Sequence, residues 1–127
     1  MQVLKTRAAY LNIELRILTH EDSLPEGCFA LLLQLPNRYG ETAYPAALLA
    51  AAKQSEVALI VCTDLLYLTQ HALDIEPAVC VGSSQRFGVP MGGGGPHAAF
   101  FATQEQYSRR IPGRIIGVSE DKFGNRA

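Results

Sequence analysis

VALIVCTD, residues 57–64, runs six apolar side chains together before Thr63 and Asp64 close it. A half-exposed strand would alternate apolar with polar residues, and an amphipathic helix would repeat every three to four. An unbroken, Val/Ile-rich run of this length is what a strand covered on both faces requires. Two further runs read the same way: CFALLLQL (28–35) and AVCVGSS (78–84). Between them lie helical segments. YPAALLAAAKQ (44–54) is built from strong helix formers with Pro45 placed for a first turn, and LLYLTQHAL (65–73) has room for one or two helical turns. Buried strands alternating with helices predict an α/β fold around a mixed, mostly parallel sheet.

The flanks add smaller elements. VLKTRAAYL (3–11) places Val3, Leu4, Ala8 and Leu11 on one helical face, and IELRIL (13–18) alternates as a short strand does. PNRYGE (36–41) is turn chemistry. AAFFAT (98–103) is a strand and the expected antiparallel member. QEQYSRRI (104–111) predicts a short helix closed by Pro112 and Gly113, and RIIGVSED (114–121) predicts a final strand entering the turn DKFGN. Neither a repeat nor a linker divides the 127 residues, so residues 1–127 read as a single domain.

Composition narrows the function. A net charge of −1 provides no electrostatic footprint for nucleic acid or an anionic membrane. No apolar run approaches the roughly 20 residues that span a bilayer. The three cysteines, Cys28, Cys62 and Cys80, sit in or beside apolar runs, which predicts reduced, buried thiols and a cytoplasmic protein. Neither CxxC nor a Cys/His cluster is present, so no metal site is expected.

The glycine run Gly92–Gly95, followed by Pro96 and His97, invites a phosphate-binding reading. A P-loop needs a Lys and a Ser or Thr after its glycines, and none follows. GGGPHA (93–98) matches G-x-G-x-x-A by letter, but a dinucleotide fingerprint must follow a strand directly and open a helix, and a strand-like segment follows here. A tightly turning loop that exploits positive φ is the plainer reading. His97 could stack on a ring, act as a base, or bond within the loop. Ser83 and Ser84 could donate to a phosphate, as a flavodoxin-like binder would use them, or cap the turn after AVCVG. Arg109 and Arg110 read as solvated surface, and Arg114 as a candidate for a carboxylate or a partner. His20 and His71 carry no motif.

Six segments taken together have a stronger likeness. TRA (6–8), LLLQLP (31–36), CTDLL (62–66), VGSSQRFGVPM (81–91), GGPHAAFFAT (94–103) and PGRIIGVSEDKFGN (112–125) closely resemble, in this order, the glycine dehydrogenase (decarboxylating) family, the P-proteins of the glycine cleavage system. The resemblance places the chain in the N-terminal half of such a protein. It implies a partial large domain of the type-I pyridoxal-phosphate transferase (aspartate aminotransferase-like) fold. It also implies an enzyme that decarboxylates glycine and passes the aminomethyl group to the lipoyl arm of H-protein.

In that family only the C-terminal half carries the Schiff-base lysine, and SSQRFG (83–88) occupies the equivalent place here, with Arg86 at the lysine position. A Schiff base needs a neutral amine, whereas a guanidinium stays protonated. No pyridoxal phosphate is therefore expected to be held covalently by this chain, and the catalytic set is empty. Asp64 resembles the strand-end aspartate that pairs with the pyridine nitrogen, and by residue type alone it is also a helix cap. Ser83, Ser84 and His97 complete the cofactor-facing set that the resemblance implies. Where the family usually has an aromatic in the glycine run, this chain has Gly93, which should loosen the loop. The isolated chain is expected to be catalytically inactive. Its partners are the complementary half of glycine dehydrogenase or a second copy of itself, with H-protein for the whole enzyme. The alternative is an autonomous interaction or scaffold domain that uses the same fold.

Overall fold

The computed structural model describes every residue except His20, Arg114, Ile115, Ile116, Val118 and Ala127. In chain order the elements are α1 (Gln2–Tyr10), β1 (Ala30–Gln34), α2 (Ala46–Gln54), β2 (Ala58–Asp64), α3 (Leu65–Gln70), β3 (Val79–Ser83) and β4 (Ala99–Thr103). Short 3-10 turns span Gln85–Phe87 and Glu105–Arg110. The four strands form one sheet in the order β1-β2-β3-β4. β1 runs parallel to β2 and β2 to β3, while β4 returns antiparallel to β3. The three unbroken apolar runs are thus the parallel strands, and AAFFAT is the antiparallel member.

Register sorts the side chains onto two faces. Leu31, Leu59, Val61, Thr63, Cys80, Gly82 and Phe100 share one face, because Leu31 pairs with Leu59, Val61 with Cys80, Thr63 with Gly82, and Gly82 with Phe100. α2 covers this face through Leu48 and Ala52, packed with Leu31, and Tyr67 of α3 joins Leu35, Val61 and Cys80. Val61 is 0% exposed. The other face carries Leu32, Ile60, Cys62, Val79, Val81 and Phe101. It is apolar as well, yet Leu32 is 43% and Phe101 48% exposed.

α1 and α2 end alike. Beyond α2, Glu56 (φ 53°) takes the left-handed conformation, while Val57 N–H reaches the Ala52 carbonyl at 2.8 Å and Glu56 N–H the Lys53 carbonyl at 3.3 Å. Asn12 (φ 54°), Ile13 and Ala8 repeat this Schellman pattern after α1.

Three expectations need correction. IELRIL is not a strand: among the described residues, 13–18 find no ladder partner, and Leu15 and Ile17 stay exposed. Its alternation pairs with neither edge strand, β1 or β4. In α1 only Ala8 of the expected apolar face is buried, with Val3 and Leu11 in solvent. All three cysteines are free, but only Cys80 is buried; Cys28 and Cys62 are half-buried, and Cys62 points to the open face. The expected last strand, RIIGVSED, falls largely outside the described residues, as do His20 and Arg114.

Candidate functional site

Parallel strands bring their C-terminal ends to one edge of a sheet, the edge where α/β proteins place their ligands. Here that edge carries Asp64 at the end of β2 and Ser83 at the end of β3, which are register partners, and Ala99, where antiparallel β4 begins. Arg86 follows in the turn after β3, and His97 lies two residues before β4. The topology therefore gathers Asp64, Ser83, Ser84, Arg86 and His97 at one edge.

Asp64 does two jobs. Its backbone leaves the strand in extended geometry, and its Oδ1 accepts from Tyr67 N–H at 2.9 Å, capping α3. Arg86 closes on it from the next turn. Nη2 donates to Oδ1 at 2.8 Å and to Oδ2 at 2.7 Å, so one guanidinium nitrogen spans both carboxylate oxygens. The aspartate side chain is 20% exposed and the arginine 57%. The Arg86 hydrogen bond holds the Asp64 carboxyl below the usual carboxylate range; partial desolvation opposes it, and the Tyr67 N–H assists. Asp64 thus caps α3 and holds Arg86 at the same time.

The serines behave differently from each other. Ser83 Oγ accepts from Gln85 N–H at 3.1 Å and lies 3.5 Å from the Ala98 carbonyl. Ser84 makes no side-chain cap, and its N–H donates to the Ala98 carbonyl at 3.1 Å. His97 is exposed. Gly92, Gly93 and Gly94 all have positive φ, and Met91 carbonyl receives Gly94 N–H, as in a tight turn. A Cβ at Gly93 would meet nothing within 4 Å, so an aromatic there would have space, although in a left-handed backbone. Arg109 and Arg110 are exposed, as expected of surface residues.

Three further residues of this region were not singled out from the sequence. Gln85 joins both arms of the glycine loop through its side-chain amide. Gly82 lies so close to β2 that a Cβ would sit 1.6 Å from the Thr63 carbonyl oxygen. Thr63 is buried, and its Oγ1 has no hydrogen-bond partner among the described residues. The signal for Gly82 was there to use: a glycine inside an otherwise apolar strand marks close backbone approach.

The edge offers no nucleophilic amine at the Arg86 position. The lysines lie on α1 (Lys5), at the C-terminal end of α2 (Lys53) and in the 121–125 turn (Lys122). Burial pushes the Cys62 and Cys80 thiols up, away from reactive thiolate. A shallow groove of about 140 Å³, lined by Val79, Phe101, Thr103, Tyr107, Arg110 and Ile111, lies at the opposite end of β3, on the open face. Among the described residues, no helix is long and apolar enough to cross a membrane.

Known proteins share this sequence and fold. Glycine dehydrogenase (decarboxylating) of Thermosynechococcus vestitus is 49% identical over 131 residues, covering 100% of this chain and 14% of the relative. The protein of the same name from Flavobacterium johnsoniae is 45% identical over 130 residues, again 100% of this chain and 14% of the relative. The chain therefore spans about one seventh of the curated relatives it matches. A crystal structure of glycine decarboxylase (P-protein) of the glycine cleavage system, in inhibitor-bound form, matches with a TM-score of 0.77 and 28% identity, over 98% of this chain and 30% of that one. The family model described as glycine cleavage system P-protein matches residues 1–127. The order of its motifs, its sheet and these matches all agree: the chain belongs to the glycine cleavage system P-protein family.

Proposed function

We propose that these 127 residues form a non-catalytic unit of a glycine-decarboxylating P-protein, a single domain that supplies sheet framework to the half lacking the Schiff-base lysine. One observation carries this reading: Arg86, at the lysine position, is bonded to both oxygens of Asp64. Pyridoxal phosphate would supply an electron sink to the whole enzyme, but it does not fit this edge. Arginine cannot become the neutral amine that the cofactor's aldehyde needs. The aspartate that would face a pyridine nitrogen already has a cation, and Ser83 is engaged with Gln85 and Ala98. Asp64, Ser83, Ser84 and His97 thus act as loop and strand-end framework, and no catalytic role falls to any of them.

The second feature that supports this reading is the open face. Parallel sheets are covered on both sides, and among the described residues the helices cover β1–β3 on one. The face of Leu32, Ile60, Val81 and Phe101 is where more P-protein polypeptide packs, in keeping with relatives about seven times longer. A self-associating scaffold domain is the alternative that the same face allows.

Isotope exchange tests the function. The purified chain, given glycine, pyridoxal phosphate and lipoylated H-protein, is expected to give no exchange of labelled bicarbonate into glycine. Exchange above the protein-free blank would overturn the proposal.

A further inference from the structure

The chain between β3 and β4, residues 84–98, is long for a connection between antiparallel neighbours, and it carries four consecutive glycines. Such a segment loses much conformational freedom when ordered. Its tip has only the turn at Met91, so its position depends on what holds its base. One side chain does most of this. Gln85 Nε2 donates to the Val89 carbonyl at 3.0 Å and lies 3.4 Å from the Pro96 carbonyl. Gln85 Oε1 accepts from Ala98 N–H at 2.9 Å. The amide orientation follows from these partners, since the reverse would set oxygen against two carbonyls and NH₂ against an N–H.

Two of these contacts bracket a single residue. The Pro96 carbonyl belongs to the peptide entering His97, and the Ala98 N–H belongs to the peptide leaving it. Both peptide planes beside His97 are therefore held by the same amide, while the imidazole itself is exposed. Gln85 is in turn anchored to the sheet end, because its own N–H donates to Ser83 Oγ and its carbonyl receives Gly88 and Val89 N–H.

We propose that Gln85 is the positioning residue of this edge: it pinches the base of the glycine loop and fixes the backbone on both sides of His97, at the same end of the sheet as the Asp64–Arg86 pair. This goes beyond the proposed function and holds whether or not that reading survives. Glutamine is specifically required. Asparagine is one methylene short, and an ionised glutamate would oppose the Val89 and Pro96 carbonyls.

Amide hydrogen exchange of the purified chain tests this. In Gln85→Leu, Ala98 N–H should exchange about tenfold faster or more, as expected for losing a part-buried bond of this kind, while Val61 N–H in the core is unchanged. Gln85→Glu guards against a variant that fails to fold. Its protonated carboxyl can donate to one carbonyl and accept from Ala98; once ionised it still accepts from Ala98 but sets its other oxygen against the Val89 and Pro96 carbonyls, so the loop base should be held at low pH and released as the group ionises. The His97 ring resonances should show an added step over that range that the wild-type chain lacks. Unchanged Ala98 exchange in Gln85→Leu, or no added His97 step in Gln85→Glu, would overturn the proposal.

Discussion

Gly82 and Thr63 face each other across β2 and β3, closer than any side chain would allow. Gly82→Ala places a Cβ against a strand carbonyl, not against a flexible tip, so relief requires the sheet to part. The variant is expected to lose about 3 kcal/mol or more, read as a lower denaturant midpoint at unchanged slope. A wild-type midpoint would contradict the register. Asp64 makes a pH-dependent prediction. Its folded pKa lies below the unfolded value, so its stabilisation is complete above the unfolded pKa, about 3.9, and drains away as pH falls through the depressed folded value. Asparagine keeps the helix cap without the charge. The stability gap between wild type and Asp64→Asn should therefore be flat at neutral pH and close only in acid, by urea titration at several pH values. At this scale the sequence named Asp64 and Arg86 but not their bond. An ion pair between residues 22 apart depends on which strand lies beside which, and single-residue chemistry does not contain that. Gln85 escaped notice for the same reason, since its partners are backbone groups of a loop whose path composition alone does not set.

The elements were legible where burial decided them. Three long apolar runs and an alanine-rich segment left little choice, and AAFFAT could be told apart because a loop rather than a crossover helix precedes it. IELRIL failed because alternation promises a strand only if a neighbour offers an edge, and the edges of this sheet are β1 and β4. The end of α2 was also silent. Glu56 sits in the left-handed region with no residue-type cue, whereas Asn12 plays the same part after α1 with a side chain suited to it. Glu56→Gly should remove that strain and stabilise the chain by about 1 kcal/mol, seen as a higher melting temperature. A lower melting temperature would mean that the turn is not left-handed in solution.

The whole molecule is a sheet with one finished face. Leu31 is 7% exposed on the finished side and its neighbour Leu32 is 43% exposed on the other. Without further polypeptide the isolated chain should self-associate through the open face. Leu32→Lys with Phe101→Lys should shift it toward monomer by sedimentation velocity, leaving the covered core intact. A wild-type chain that stays monomeric at every concentration would speak against that surface as a contact. The central claim, however, is that Arg86 and Asp64 close this edge to the cofactor. The most direct measurement is a pyridoxal phosphate titration of the purified chain, followed by borohydride reduction and peptide mapping. The account predicts no saturable binding and no stoichiometric adduct at any single lysine. Saturable one-to-one binding that Asp64→Asn abolishes would contradict it.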